Sequence, residues 1–229
     1  MGSAVVLLGD GACQAQYAIL TTKDGGRHWT LQTHATLMGG DGPLNLSFPS
    51  SKIGWFANGS CAWTGIGVSK SVDGGQHWYS VASLETSGEN PPQAIALGFT
   101  SPSQGYLINA VSSYQKVPPA LMLYTTNDSG IKWLETSIPS KGLPGSIAGL
   151  SFISPQQGWV VAAVPKHRFR VYHFQSGTWT ALTTPNASVQ NPTVDLVSAQ
   201  VAYLNQPMGF PSLWKTVDGG AHWTWVPFP

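Results

Sequence analysis

The segment Thr22-Lys23-Asp24-Gly25-Gly26-Arg27-His28-Trp29 returns three times in the pattern Ser/Thr-x-Asp-x-Gly-x-x-Trp, at residues 71–78, 126–133 and 216–223. A fifth, decayed copy reads Phe174-Gln175-Ser176-Gly177-Thr178-Trp179, in which the Asp is absent and the turn is a further residue shorter, six residues against eight. The five tryptophans, Trp29, Trp78, Trp133, Trp179 and Trp223, are separated by 49, 55, 46 and 44 residues. That interval is the length of one four-stranded propeller blade, and a fixed period of this size is the signature of a repeat architecture.

A second motif runs in phase with the first. Phe48 precedes Trp55 by seven residues, as Phe99 precedes Tyr106, Phe152 precedes Trp159 and Leu196 precedes Tyr203. The turn ends in Gly-aromatic at Gly54, Gly105 and Gly158, with Ala202 in the last copy. Each copy is expected to be a hairpin. In the second repeat the four strands are expected near Leu44 to Phe48, Ile53 to Ala57, Ile66 to Ser71 and His77 to Val81.

These patterns predict an all-β chain folded as one β-propeller domain over 1–229. Five four-stranded antiparallel blades are expected, at about 1–35, 43–83, 93–137, 146–184 and 192–229, with the first lacking its innermost strand. An excerpt of a six- or seven-bladed ring is the alternative. Composition agrees: charged residues are 9% against about 25% in an ordinary globular protein, and Gly and Pro are plentiful.

The residue types of the repeat explain its role. A carboxylate accepts N–H bonds across a tight turn, and Gly supplies positive φ. Asp24, Asp73, Asp128 and Asp218, each with its Trp, therefore read as structural. The motifs resemble the Asp-box (BNR) propeller superfamily, which includes sialidases, xyloglucan-type glycoside hydrolases, sortilin-type receptors and the photosystem II stability/assembly factor family. The pairing of Phe-x6-aromatic with Asp-Gly-Gly-x-His-Trp is most similar to the assembly-factor-like branch. That resemblance implies an exported, non-catalytic propeller, although the box itself specifies fold and not function.

Several chemistries are disfavoured. A sialidase needs three arginines converging on a carboxylate, yet Arg27 sits in a rim turn while Arg168 and Arg170 share one strand region. Glycoside hydrolysis needs two opposed carboxyl groups. Once the boxes are set aside, Asp10 and Asp41 are the one pair worth considering, and solvated or turn-capping roles are favoured for them. His28, His77 and His222 hold the same place in three boxes, and equivalent positions on different blades cannot meet at one metal ion. They read as strand-surface residues beside the box Trp. No metal or cofactor is expected. The net charge of +1 creates no field for nucleic acid or anionic membrane, and no apolar run reaches the roughly 18–20 residues of a membrane span.

Cys13 and Cys61 follow the second strands of their repeats in matching loops. A disulfide between adjacent blades is expected, provided the Cα atoms lie within about 7 Å; two unpaired buried thiols are the alternative. The bridge would place the protein in an oxidising compartment, extracellular or in the cell envelope. Asn-x-Ser sequons begin at Asn45, Asn58, Asn127 and Asn186. The long loops are expected at the face opposite the boxes, where a rigid scaffold positions functional residues. There Tyr114, Lys116, Lys166, His167, Arg168, Met208 and Phe210 combine cationic and apolar chemistry suited to a protein or peptide partner. Carbohydrate is the second partner class, bound by a hydrolase of the Asp-box type.

Overall fold

Short apolar runs punctuated by glycine turns form strands throughout the described chain. The computed structural model describes residues 2–11, 14–24, 27–36, 44–59, 65–86, 92–111, 120–143, 146–164, 168–185, 192–206 and 212–227, with backbone alone at 2–11, 14–17, 32–36, 92–94, 111, 168 and 206. Strands β1 (Gly2–Gly11), β2 (Gln14–Thr22) and β3 (Thr30–Thr36) form a three-stranded sheet in that order. Four four-stranded sheets follow, each with its strands in chain order. The second holds β4 (Leu44–Ser47), β5 (Gly54–Gly59), β6 (Gly65–Ser71) and β7 (Tyr79–Glu85). The third holds β8 (Pro92–Phe99), β9 (Gly105–Val111), β10 (Ala120–Thr126) and β11 (Leu134–Ile138). The fourth holds β12 (Ile147–Ser154), β13 (Gln157–Val164), β14 (Arg168–Gln175) and β15 (Thr178–Ala181). The fifth holds β16 (Thr193–Leu196), β17 (Ala202–Gln206), β18 (Ser212–Thr216) and β19 (Thr224–Val226).

The four-stranded sheets are antiparallel blades in a β-propeller arrangement. Register identifies β1 as the second strand of its repeat. Gly2 faces Thr22 just as Gly54 faces Ser71, Gly158 faces Phe174 and Ala202 faces Thr216. Contact density divides the chain into two compact units, Met1–Leu107 with Tyr124–Glu135, and Ile108–Leu123 with Thr136–Pro229. The division passes through the third sheet.

The second motif has a steric cause. A Cβ at Gly54 would lie 2.4 Å from the Phe48 ring, one at Gly105 2.6 Å from Phe99, and one at Gly158 2.2 Å from Phe152. Glycine is therefore required wherever a Phe ring lies flat on the strand beside it, and Ala202 is accommodated where Leu196 replaces Phe. Each of these rings meets the box Trp of its own repeat edge-on: Phe48 with Trp78, Phe99 with Trp133 and Phe152 with Trp179. This is the preferred geometry of aromatic pairs.

Consecutive sheets are tied by a repeated device. The Phe99 N–H donates to Ser47 Oγ at 2.9 Å in the first unit, and the Leu196 N–H donates to Ser151 Oγ at 3.0 Å in the second. Both acceptors lie in the sequence Leu-Ser-Phe. Middle strands are covered on both faces and so lose the apolar/polar alternation; β5 is buried at every residue.

Two strand expectations need correction. The fourth strand of the second repeat starts at Tyr79, not His77, because the Asp73 carboxylate engages the His77 N–H and keeps it in the turn. The same strand ends later than expected, at Glu85 and not at Val81.

Candidate functional site

The box at 71–78 is built from three acceptors. Asp73 Oδ1 takes the N–H groups of Gln76 and His77, both at 3.0 Å, and the Ser71 hydroxyl at 2.8 Å. Ser71 Oγ in turn accepts the Gly75 N–H at 2.8 Å, and Trp78 Nε1–H closes on the Gly75 carbonyl at 3.0 Å. Gly74 and Gly75 carry φ of +80° and +94°, where an L side chain is strained. The boxes of Asp128 and Asp218 repeat the carboxylate and hydroxyl bonds. At Asp24 the carboxylate takes the Thr22 hydroxyl and the His28 N–H.

The imidazoles belong to the boxes, which corrects their assignment as strand-surface residues. Nδ1 of His28, His77 and His222 meets Oδ2 of Asp24, Asp73 and Asp218 at 2.5, 2.6 and 2.7 Å. The Asp-to-His spacing of four residues was the available signal. These rings are 87–89% exposed. The His28 backbone N–H, with its ring and the Thr22 hydroxyl, holds Asp24 down at about 2; the corresponding groups of His222 and Thr216 do the same for Asp218. Asp73 is held below the usual carboxylate range, first by the His77 N–H and then by its ring. Asp128 is lowered first by the Lys132 N–H, with the Thr126 hydroxyl adding to it. A carboxylate so engaged is a poor general base at neutral pH.

Of the residues expected to meet a partner, Tyr114, Lys116, Lys166, His167, Met208 and Phe210 lie outside the described residues, as do Cys13, Cys61 and Asp41. Arg168 opens β14 opposite Val164, and Asp10 lies in β1 opposite Ala15. Arg27 is exposed in the first box turn and Arg170 is exposed on β14. Among the described residues no three His, Cys, Asp or Glu side chains could share a metal ion, and no helix is long and apolar enough to cross a membrane. Of the sequons, Asn58 is buried on β5.

Polar groups that sequence reasoning missed lie inside the sheets. Asn109 on β9 is fully buried, and neither atom of its carboxamide has a partner among the described residues. The atoms Trp159 Nε1, His173 Nε2 and Trp214 Nε1 in the second unit are likewise buried and without a partner among the described residues. Nothing in residue spacing marks these positions, because they fall at ordinary places in the second and third strands of their sheets, on β9, β13, β14 and β18.

No family profile matches the chain, and no curated protein matches it in sequence. Solved structures match in fold. A fucose-binding lectin of Aleuria aurantia aligns with a TM-score of 0.61 at 15% identity, over 99% of this chain and 75% of the lectin. A Hadza microbial sialidase aligns with a TM-score of 0.57 at 16% identity, over 95% of this chain and 55% of the sialidase. A YCF48 protein with a bound peptide aligns at 16% identity over 97% of this chain and 85% of that chain, with a TM-score of 0.49. At these identities the likeness is one of fold, and the chain is similar to repeat proteins of propeller architecture.

Proposed function

We propose that this chain is a non-catalytic binding module: a five-bladed propeller domain, exported to an oxidising compartment, that holds a protein or peptide partner on the loops opposite its boxes. The observation that carries this reading is the state of the box aspartates. The structure's most regular carboxylates are committed to hydrogen bonds within their own turns, which leaves them to stabilise the scaffold and not to transfer protons. The residues Tyr114, Lys116, Lys166, His167, Met208 and Phe210, with Arg168 at the start of β14, are proposed to supply the mixed cationic and apolar surface. A Cys13–Cys61 bridge would fasten the first repeat to the second.

The test is an immobilised peptide array probed with the folded chain. Lys166→Ala with Arg168→Ala should abolish retention of the bound peptides and leave the melting temperature unchanged. Turnover of a nitrophenyl glycoside panel that disappears in Asp10→Asn or Asp41→Asn would instead make the chain a hydrolase. Intact mass with and without reductant should differ by two hydrogen atoms, the two protons and two electrons taken up on reduction, if the bridge is present.

A further inference from the structure

The buried indoles of the second and fourth sheets face their neighbouring boxes differently. In the first unit Trp55 turns its pyrrole edge to the box of the third sheet. Its Nε1–H donates to the Ser129 carbonyl at 3.1 Å, and Nε1 lies 3.2 Å from where a Gly130 Cβ would be. Lys70, opposite it on β6, sets its ammonium 4.9 Å from the Trp55 ring centre. In the second unit Trp159 turns its benzene edge to the equivalent glycine, with Cη2 3.1 Å from a Gly220 Cβ. Its N–H therefore points away from the box carbonyl that caps Trp55.

The box of the fifth sheet, at 216–223, is rewired to match. Thr183 Oγ1–H lies 2.7 Å from the Gly220 carbonyl, and Trp223 Nε1–H donates to the Thr183 carbonyl at 2.9 Å. In the second and third boxes the Trp donates to the box glycine itself. Leu182 presses against Gly220, at 2.7 Å from a Cβ built there.

Trp159 belongs to a core with Val161, Val171, Val194, Leu196 and Leu204, and Trp214 packs against that core. His173 stands opposite Trp159 on β14, ring centres 6.2 Å apart. Burial lowers its pKa, so at neutral pH the ring is uncharged and Nε2 is a single donor or acceptor, according to tautomer. Trp159 and Trp214 share this core and His173 stands beside Trp159; the two indole donors and the imidazole nitrogen are each buried and without a partner among the described residues. An unmet buried donor is costly, and a small acceptor needs two to four such partners to be held in a protein interior.

The geometry points to a buried site for a single-atom hydrogen-bond acceptor, a water molecule or a halide, held by Trp159 Nε1–H with His173 Nε2 and Trp214 Nε1–H in the core between the fourth and fifth sheets. It locks those two sheets together where the box carbonyl no longer does so.

Crystals of the full chain grown in chloride and in bromide test this. The expected result is a density peak within about 3.3 Å of Trp159 Nε1 and of at least one of His173 Nε2 and Trp214 Nε1. An anomalous signal at that peak in bromide identifies a halide; ordinary density without it identifies water. Trp159→Phe should keep the fold and lose the peak. A core with no peak, or a Trp159 ring reversed so that Nε1 meets the Gly219 carbonyl, would overturn the proposal.

Discussion

The second and fourth boxes solve one problem with different chemistry. At 71–78 a buried serine and a carboxylate collect the turn's N–H groups. At 174–179 the serine position is taken by Phe174, and the turn is the two residues Ser176 and Gly177, with φ of +48° and +92°. Both central residues lie at positive φ, as in the hairpin turns whose twist matches that of the flanking strands, so no carboxylate is needed to close it. Anchorage passes to aromatics: Trp179 lies 4.8 Å from Phe174 and donates to the Pro139 carbonyl at 2.6 Å. The Asp is thus one means of holding the turn, while the Trp, retained in every copy, is the common requirement.

The largest expected effect follows directly. Trp179→Ala should cost about 3–4 kcal/mol and Trp78→Ala about 2–3 kcal/mol, because the second box keeps its carboxylate cap and the fourth has none. Chemical denaturation measures both, and the reverse order would break the comparison. A smaller effect is expected for Ser71→Ala, about 1–2 kcal/mol, since the buried Gly75 N–H loses its acceptor.

The smallest effect is in acid. A carboxylate whose folded pKa is depressed stabilises the fold fully above its unfolded value of about 4. That contribution is lost as pH falls through the folded value, about 2 for Asp24 and Asp218. Melting temperature should therefore be insensitive to the box carboxylates from pH 7 to 5 and fall below about 4. Asp218→Asn should flatten part of that fall, whereas substitutions in the fourth box should leave it unchanged. Parallel curves for Asp218→Asn and the parent would show that the carboxylate bonds carry no linkage.

Much of the fold is legible in residue order because its determinants are local. Asp, Gly and Trp at fixed offsets close a turn within eight residues, and Phe six residues before Gly marks a ring that must lie on a bare backbone. The candidate site is less legible. The three buried ring nitrogens occupy ordinary strand positions, and the box glycine that meets the benzene edge of Trp159 is also met by Leu182 and Thr183, which belong to another hairpin. The imidazoles of His28, His77 and His222 stood between these cases, visible through their spacing from Asp but readable as surface residues until the carboxylate contact placed them in the turn.

The amino-acid order alone thus determined the repeat, the hairpins and the strands' sequence in each sheet, because these depend on contacts between residues near in the chain. Tertiary packing decided how each indole is capped, which serine meets which neighbouring N–H, and which polar atoms are left inside. Those outcomes depend on side chains about forty to fifty residues apart in the chain, such as Ser47 with Phe99 and Trp223 with Thr183. A repeat period of this length brings such pairs together only when one blade stacks on the next.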